Sequence, residues 1–459
     1  MPERGTVHVV GAGLVGSVAA LGLAQQGYDV ELYDRRPDPA THPPETGRSV
    51  NVVLSKRGWM ALARVGLHDA VRALCMPLVG RSIHLWRRET LHQPYSRHGE
   101  QIWCVERPRL HDFLSSQAAA HSRVRVHWAH RLRDVELPEG RLGFQVGTDH
   151  TQLTWIPFDR ACGIDGAFSA MRTGLSHETF DFRQRWLEAS YKELRLPAHS
   201  DGGPALDPAR FQVWPRGRLF LGAFPNPDGT FTGSLFLPRE GYPSFDSIRT
   251  ETDFARLVRT FFPDLLPWLS ALWPQFRDHP AMPLVTMQCR PWSWGGRLVL
   301  LGDAAHAVVP FFGQGMNCGL EDARALCRLL AEHDHCWPTA LPAFEAERRP
   351  NADALADLSL AHYAHLNPVP HPTDAARERI GEMLDTLAPT RFRPLYELVA
   401  FTEIPYAAAQ RLEQLRAGVI DDLLGDPAFQ GPWPDDAEAR VRAALNNFPA
   451  ATAARTRSG

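Results

Sequence analysis

The spacing of apolar positions changes several times along the chain, and each change marks an element. Val7 to Val10 form a short apolar run, as in a strand buried on both faces of a parallel sheet. Gly11 to Gly16 predict a tight turn, Ser17 to Gln26 an Ala/Leu-rich helix that Gly27 breaks, and Val30 to Tyr33 a second strand. Residues 37–47, rich in Pro and Thr, predict a loop, and 49–75 return to a helical period. Between 205 and 245 the pattern shortens to FQVWP, RLFLGAF and TFTGSLFLP, separated by PRG and PNPDG turns. These predict antiparallel strands with an aromatic face. GRLVLL at 296–301 reverts to a buried strand, and 350–425 are mainly helical. The expected class is α/β: a Rossmann-like unit interrupted by an antiparallel-sheet domain, with a helical C-terminal region. The boundaries expected are 1–75, 101–175 and 285–349 for the nucleotide unit, 76–100 and 176–284 for the sheet domain, and 350–459 for the helical region. No internal repeat or low-complexity tract interrupts this pattern.

Composition narrows the partners. At 459 residues the chain is long enough for two or three packed units. A net charge of -3 provides no basic footprint, so nucleic acid is not an expected partner. Arginine carries the positive charge almost alone, with Lys56 and Lys192 the only lysines, which reads as the codon bias of a GC-rich genome. The seven cysteines have no zinc-finger or CxxC spacing and are read as reduced thiols, with a cytoplasmic location expected. His333, His335 and Cys336 cluster as HDHC, read as a solvated helix-end loop, and no metal is expected. The N-terminus lacks the pattern of a secretory leader, and no run reaches the length of a membrane span, so no anchor is expected.

Gly11-Ala12-Gly13-Leu14-Val15-Gly16 is a GxGxxG turn between a strand and a helix, with Asp34 23 residues after Gly11. The glycines allow a tight turn and close approach of backbone to a pyrophosphate, the helix N-terminus attracts its charge, and the carboxylate can accept from a ribose. This motif alone does not separate NAD from FAD. Phe158 to Arg172 (FDRACGIDGAFSAMR) and residues 298–322 (LVLLGDAAHAVVPFFGQGMNCGLED) resemble the DG and GD fingerprints of the class A flavoprotein monooxygenases. The resemblance implies a para-hydroxybenzoate-hydroxylase-like fold and non-covalent FAD. Asp303 would bind the ribityl chain, and Gly315, Met316 and Asn317 would meet the pyrimidine end through backbone N–H groups. Asp165 would serve FAD and NADPH, and Arg107, opening RxxLxxxL with Leu110 and Leu114, would contact FAD. Arg36 and Leu132 complete the expected cofactor set with Gly11, Gly13, Val15, Gly16 and Asp34. No second complete GxGxxG unit exists, so NADPH is expected as a transient reductant.

Longer segments resemble one family within that class. GRSVNVVLSKRG, SYKEL, WPRG, PNPDGTFTGSLFLP, VVPFFGQGMN and FRPLYELVAFTEIPYA are similar to kynurenine 3-monooxygenases over nearly the whole chain. The resemblance implies FAD-dependent, NADPH- and O2-consuming conversion of L-kynurenine to 3-hydroxykynurenine through a flavin C4a-hydroperoxide. It implies Arg81, Tyr95 and Tyr396 on the substrate carboxylate, and Phe224, Phe236, Phe311 and Phe312 as pocket walls; no protein general base is expected. One departure stands out. Relatives read DNFxEM where this chain reads AHYAHL, so His362 replaces the family asparagine, and His365 and Leu366 replace Glu and Met. This leaves the substrate open between kynurenine and a substituted kynurenine, tryptophan or another aromatic amino acid. A FAD protein without hydroxylase activity, such as a halogenase relative, is the third reading, though no WxWxIP segment is present. Oligomeric state stays open.

Overall fold

The computed structural model describes residues 4–39, 41–42, 51–86, 89–147, 152–175, 180–366, 373–389, 393–429 and 433–446. The loop expected at 37–47 is described only in part. Residues 43–50, the side chains of His365 and Leu366, and the polar tail after 446 lie outside the described residues. The chain divides into two compact units, Met1–Asn367 and Pro368–Gly459.

The apolar run at the N-terminus becomes the strand Thr6–Val10, flanked in parallel by Asp29–Tyr33 and Ala161–Gly163. The six-stranded sheet runs Ser293–Trp294, Leu298–Leu300, Ala161–Gly163, Thr6–Val10, Asp29–Tyr33, Val124–His127, and every pairing except the first is parallel. Strands buried on both faces read as continuous apolar runs, and Val7, Val9, Cys162, Val299 and Leu300 are fully buried. The first helix, Leu14–Gln25, starts three residues earlier than its Ala/Leu run suggests, because Gly13 is its N-cap. Val15 and Gly16 therefore belong to the helix and not to the turn.

The stretch 49–75 departs from a uniform helix. Asn51–Leu54 is a strand, antiparallel to Ile102–Glu106, and helices follow at Lys56–Arg64 and His68–Arg72. The β-branched Val52 and Val53 pack better on a pleated surface than on a helix.

The aromatic strands form a seven-stranded sheet in the order Met282–Arg290, Asp181–Leu196, Phe231–Pro238, Leu219–Pro225, Arg210–Arg216, Gly80–His84, Thr90–Pro94. It departs from the expected antiparallel pattern at one place: Arg210–Arg216 and Gly80–His84 are parallel, with Phe211 beside Arg81. One face packs on Phe254, Leu257, Phe262 and Phe276 of the segment between Phe231–Pro238 and Met282–Arg290. The expected boundary at 285 falls inside Met282–Arg290, and that at 350 inside the 30-residue helix Trp337–Leu366. The second unit is helical, with Ile380, Leu384, Val419, Ile420 and Val441 in its core. Among the described residues no helix is long and apolar enough to cross a membrane.

Candidate functional site

The turn after the first strand is built for close approach. Gly11 has φ +109°, and a Cβ there would lie 2.3 Å from the carbonyl oxygen of Ile164. Only glycine meets both conditions. Nothing lies within 4 Å of a Cβ built on Gly13. The helix Leu14–Gln25 starts with no side-chain cap and no acid in its first turn, and Gly315–Glu332 starts the same way. Two uncapped N-termini leave orphan N–H groups and partial positive charge for an anionic group. These features fit a dinucleotide's phosphates.

Around that turn the side chains lock the Ala12 peptide. Its N–H donates to Asp34 Oδ2 (2.9 Å), and its carbonyl accepts from His111 Nε2 (2.8 Å) and Arg36 Nη2 (3.3 Å). Asp34 also accepts Arg36 N, Nε and Nη2, so its lone-pair sites are all engaged. Burial pushes the Asp34 carboxyl up, but the Arg36 guanidinium and the two amides more than offset it and hold it below the ordinary range. The expected ribose contact thus requires Asp34 to exchange one of these bonds, while the Arg36 side chain is 47% exposed beside it. His111 escaped the sequence reading. It lies four residues after Arg107 on the same helix, and that spacing is the signal that could have found it.

The other cofactor candidates separate by what their side chains do. Asp303 is exposed and opens the short helix Asp303–His306 after Gly302, whose φ is +57°. Arg107 is exposed at the start of Arg107–Ala119. Asp165 turns onto the next helix, accepting from Ser169 Oγ and from Met171 N at 3.1 Å, while burial pushes its carboxyl up. Leu132 is 7% exposed in a strand, its side chain in the core, so its backbone is what remains for a ligand. Asn317 is fully buried and spends its amide on protein: Oδ1 accepts Ser55 N (2.9 Å), and Nδ2 donates to Val53 (2.8 Å) and Gly313 (3.1 Å) carbonyls. That ties the loop before Gly315 and Met316 to the strand Asn51–Leu54.

The substrate candidates converge in part. Arg81 stands over the ring of Tyr95 at 5.3 Å, and Tyr95 is buried. Gly80 makes this possible, since a Cβ there would lie 2.2 Å from the Gln93 carbonyl oxygen of the neighbouring strand. Phe211, beside Arg81 in register, stacks on Phe224 at 4.0 Å. Phe211 also packs against the cluster containing Phe220 and Phe236. Phe236 meets Phe311 at 5.2 Å, Phe311 meets Tyr363 at 4.6 Å, and Phe312 meets His362 at 4.9 Å. An aromatic wall thus runs from the sheet to the loop before Gly315 and onto the long helix. Phe211 and Tyr363 were missed; each neighbours, in sequence or register, a residue singled out. Tyr396 belongs to the second unit, on Leu395–Phe401, where its ring meets Phe401 edge-on at 6.3 Å.

Comparison with known proteins identifies the family. The profile of an FAD binding domain matches residues 269–359, and that of an NAD(P)-binding Rossmann-like domain matches 9–55. Proteins named kynurenine 3-monooxygenase are similar along most of the chain. That of Stenotrophomonas maltophilia is 38% identical, covering 90% of this chain and 91% of the relative. That of Myxococcus xanthus is 37% identical, with 92% and 91% covered, and that of Christiangramia forsetii 34%, with 94% and 97%. Among solved structures, 2-methyl-3-hydroxypyridine-5-carboxylic acid oxygenase superposes with a TM-score of 0.65 at 23% identity, covering 82% of this chain and 97% of that one. PqsL of Pseudomonas aeruginosa in complex with 2-aminobenzoylacetate gives 0.64 at 20%, with 79% and 96% covered. These two likenesses establish the fold.

Proposed function

The chain belongs to the kynurenine 3-monooxygenase family and is an FAD-dependent monooxygenase, and we propose that it hydroxylates L-kynurenine to 3-hydroxykynurenine with NADPH and O2. The observation that carries the substrate is the Arg81–Tyr95 pair at one end of an aromatic wall. A planar guanidinium can hold a carboxylate through two parallel hydrogen bonds, and a tyrosine hydroxyl can add a third. The aromatic faces suit an aryl ketone and keep water from it. Tyr396 is carried as a further carboxylate residue on family resemblance.

When bound, FAD supplies electron transfer from the nicotinamide and activation of O2. The chain's own contribution is to bind and orient. Val15, Gly315 and Met316 offer backbone N–H groups of two helix starts, and Asp303 an exposed carboxylate for the cofactor's hydroxyls. Phe236, Phe311 and Phe312 wall the ring. Asp34, Arg36, Arg107 and Asp165 are carried as cofactor residues on the same reading.

The test is a substrate panel on the purified yellow protein, with NADPH consumption and chromatographed product as readouts. Kynurenine should accelerate NADPH oxidation and yield the 3-hydroxylated product, with NADPH preferred over NADH. Turnover of another aromatic with none of kynurenine would overturn the assignment. The second reading, a substituted kynurenine, starts from His362, which replaces the family asparagine and lies 4.9 Å from the Phe312 ring. If it selects such a substrate, His362→Asn should shift preference toward kynurenine itself. If it merely replaces the family amide, the same change should leave kynurenine turnover equal or higher.

A further inference from the structure

Beside the turn that carries Asp303 lies a cluster of ionisable side chains that the reading above does not use. Arg57, His306, Glu321, Asp322 and Arg348 are each more than nine-tenths buried. Asp322 is the hub. Its Oδ2 accepts the Gly302 amide (3.0 Å) and His306 Nε2 (2.6 Å), and its Oδ1 accepts Arg348 Nε (2.7 Å). Arg348 Nη1 donates to Glu321 (2.8 Å) and Nη2 to the Cys318 carbonyl (3.3 Å), while Arg57 Nε lies 3.4 Å from Glu321. Arg57 and Arg348 set their positive charge against Glu321 and Asp322, and Arg324 adds a third guanidinium 3.9 Å from Glu321. His306, Cys318 and Asp322 also have the spacing of a cation site, their ligand atoms within 4.8 Å of one another. Arg348 already supplies the positive charge there, 2.7 Å from Asp322 and 3.4 Å from the Cys318 sulfur. A second cation would be repelled.

Buried ion clusters are poor stabilisers, because desolvation consumes most of the Coulombic gain and well-packed apolar residues often do as well. What this cluster supplies is register. Gly302 is held at φ +57° by its amide's bond to Asp322. A Cβ on Gly319 would lie 3.3 Å from Gly302 Cα and 2.7 Å from Val15 Cγ2. So the turn before Asp303, the helix Gly315–Glu332 and the first helix after the glycine turn meet at Val15, Gly302 and Gly319. Asp322 ties the first two of these together, and Arg348 ties both to the long helix.

We propose that Asp322 and His306 are positioning residues for the flavin, holding the Gly302–Asp303 turn in register with the helix start at Gly315. This rests on the assignment of Asp303 to the cofactor. The test uses the full-length holoenzyme and FAD itself as the probe, with the FAD dissociation constant and off-rate measured for His306→Leu, His306→Gln and Asp322→Asn. His306→Leu and Asp322→Asn should weaken FAD by about ten- to a hundredfold, the effect of losing a hydrogen bond to a charged group. His306→Gln, which can still donate to Asp322, should recover most of that. Kynurenine affinity of FAD-saturated enzyme should stay unchanged. Leu257→Ala, in the core beside the seven-stranded sheet, serves as a control for general destabilisation. An equal FAD loss in that control, or none in His306→Leu, overturns the positioning role, and so does failure of His306→Gln to rescue. Asp303→Ala separates the two assignments. If it keeps FAD, the cofactor reading of the turn fails and the positioning role fails with it. If Asp303→Ala loses FAD and His306→Leu does not, only the positioning role fails.

Discussion

At the scale of single residues, the proposed substrate site depends on a cation placed where it can meet a carboxylate. Arg81 is half-buried over the Tyr95 ring, so a bound carboxylate would be partly desolvated. Losing the charged partner of such a group costs about 2–5 kcal/mol, a factor of tens to thousands in affinity. Arg81→Ala should therefore weaken kynurenine binding on that scale with FAD content intact, read from flavin absorbance changes on titration. Arg81→Lys should recover part of it, because an ammonium lacks the planar fork. Undiminished binding in Arg81→Ala would end the anchoring role. On the cofactor side, Asp303→Ala should lower FAD occupancy sharply, since the carboxylate is exposed at the start of its helix. A normal flavin spectrum at full occupancy in that variant counts against it.

At the scale of elements, the hairpin that carries Arg81 and Tyr95 closes over a glycine. A Cβ on Gly80 would lie 2.2 Å from Gln93 O and 2.9 Å from Pro94 Cα, and both obstacles are backbone. Gly80→Ala should push Gly80–His84 and Thr90–Pro94 apart at a cost of about 1–3 kcal/mol. Kynurenine affinity should fall while FAD binding holds, because the turn at Gly11 proposed to meet FAD belongs to the other sheet. Equal loss of both ligands would mean that the two sheets do not divide the work this way. The same scale explains a difference between expectation and structure. The period at 49–75 suits a helix, yet Asn51–Leu54 pairs with Ile102–Glu106, and that strand lets Val53 and Ser55 hold Asn317.

At the scale of the whole molecule, buried histidines make stability depend on pH. Burial holds the imidazoles of His8 and His111 below their ordinary value of 6.5, helped at His111 by the Arg36 charge. His84 shifts the same way through burial. A folded pKa below the unfolded one means that the unfolded chain binds protons the folded chain does not. The stability is therefore fully present above pH 6.5 and is lost as pH falls through the folded values. Each such proton contributes at most about 1.4 kcal/mol per pH unit. Thermal midpoints should drop from about pH 7 to about pH 5.5, before the carboxylates titrate, and His8→Gln with His111→Gln should flatten the slope. A parent profile flat across that range would dismiss the histidines as the cause.

What the sequence determined by itself was local. The glycine turn, the aromatic strands and the helical C-terminal region follow from spacing, turn chemistry and chain stiffness, all of which act over a few residues. The candidate residues of both sites were legible because they sit in such motifs. Tertiary structure decided the rest. Asp34 stands at the end of the second strand, where the motif leads one to expect a ribose contact, but its four acceptor positions are filled by Ala12 and Arg36. Arg210–Arg216 lies parallel to Gly80–His84, more than a hundred residues away in sequence, and that pairing sets Phe211 beside Arg81. Asp322 meets Gly302, His306 and Arg348 across separations of 16 to 26 residues. Contacts of that kind depend on which faces pack together, and the spacing of apolar positions states that each face is buried without saying against what.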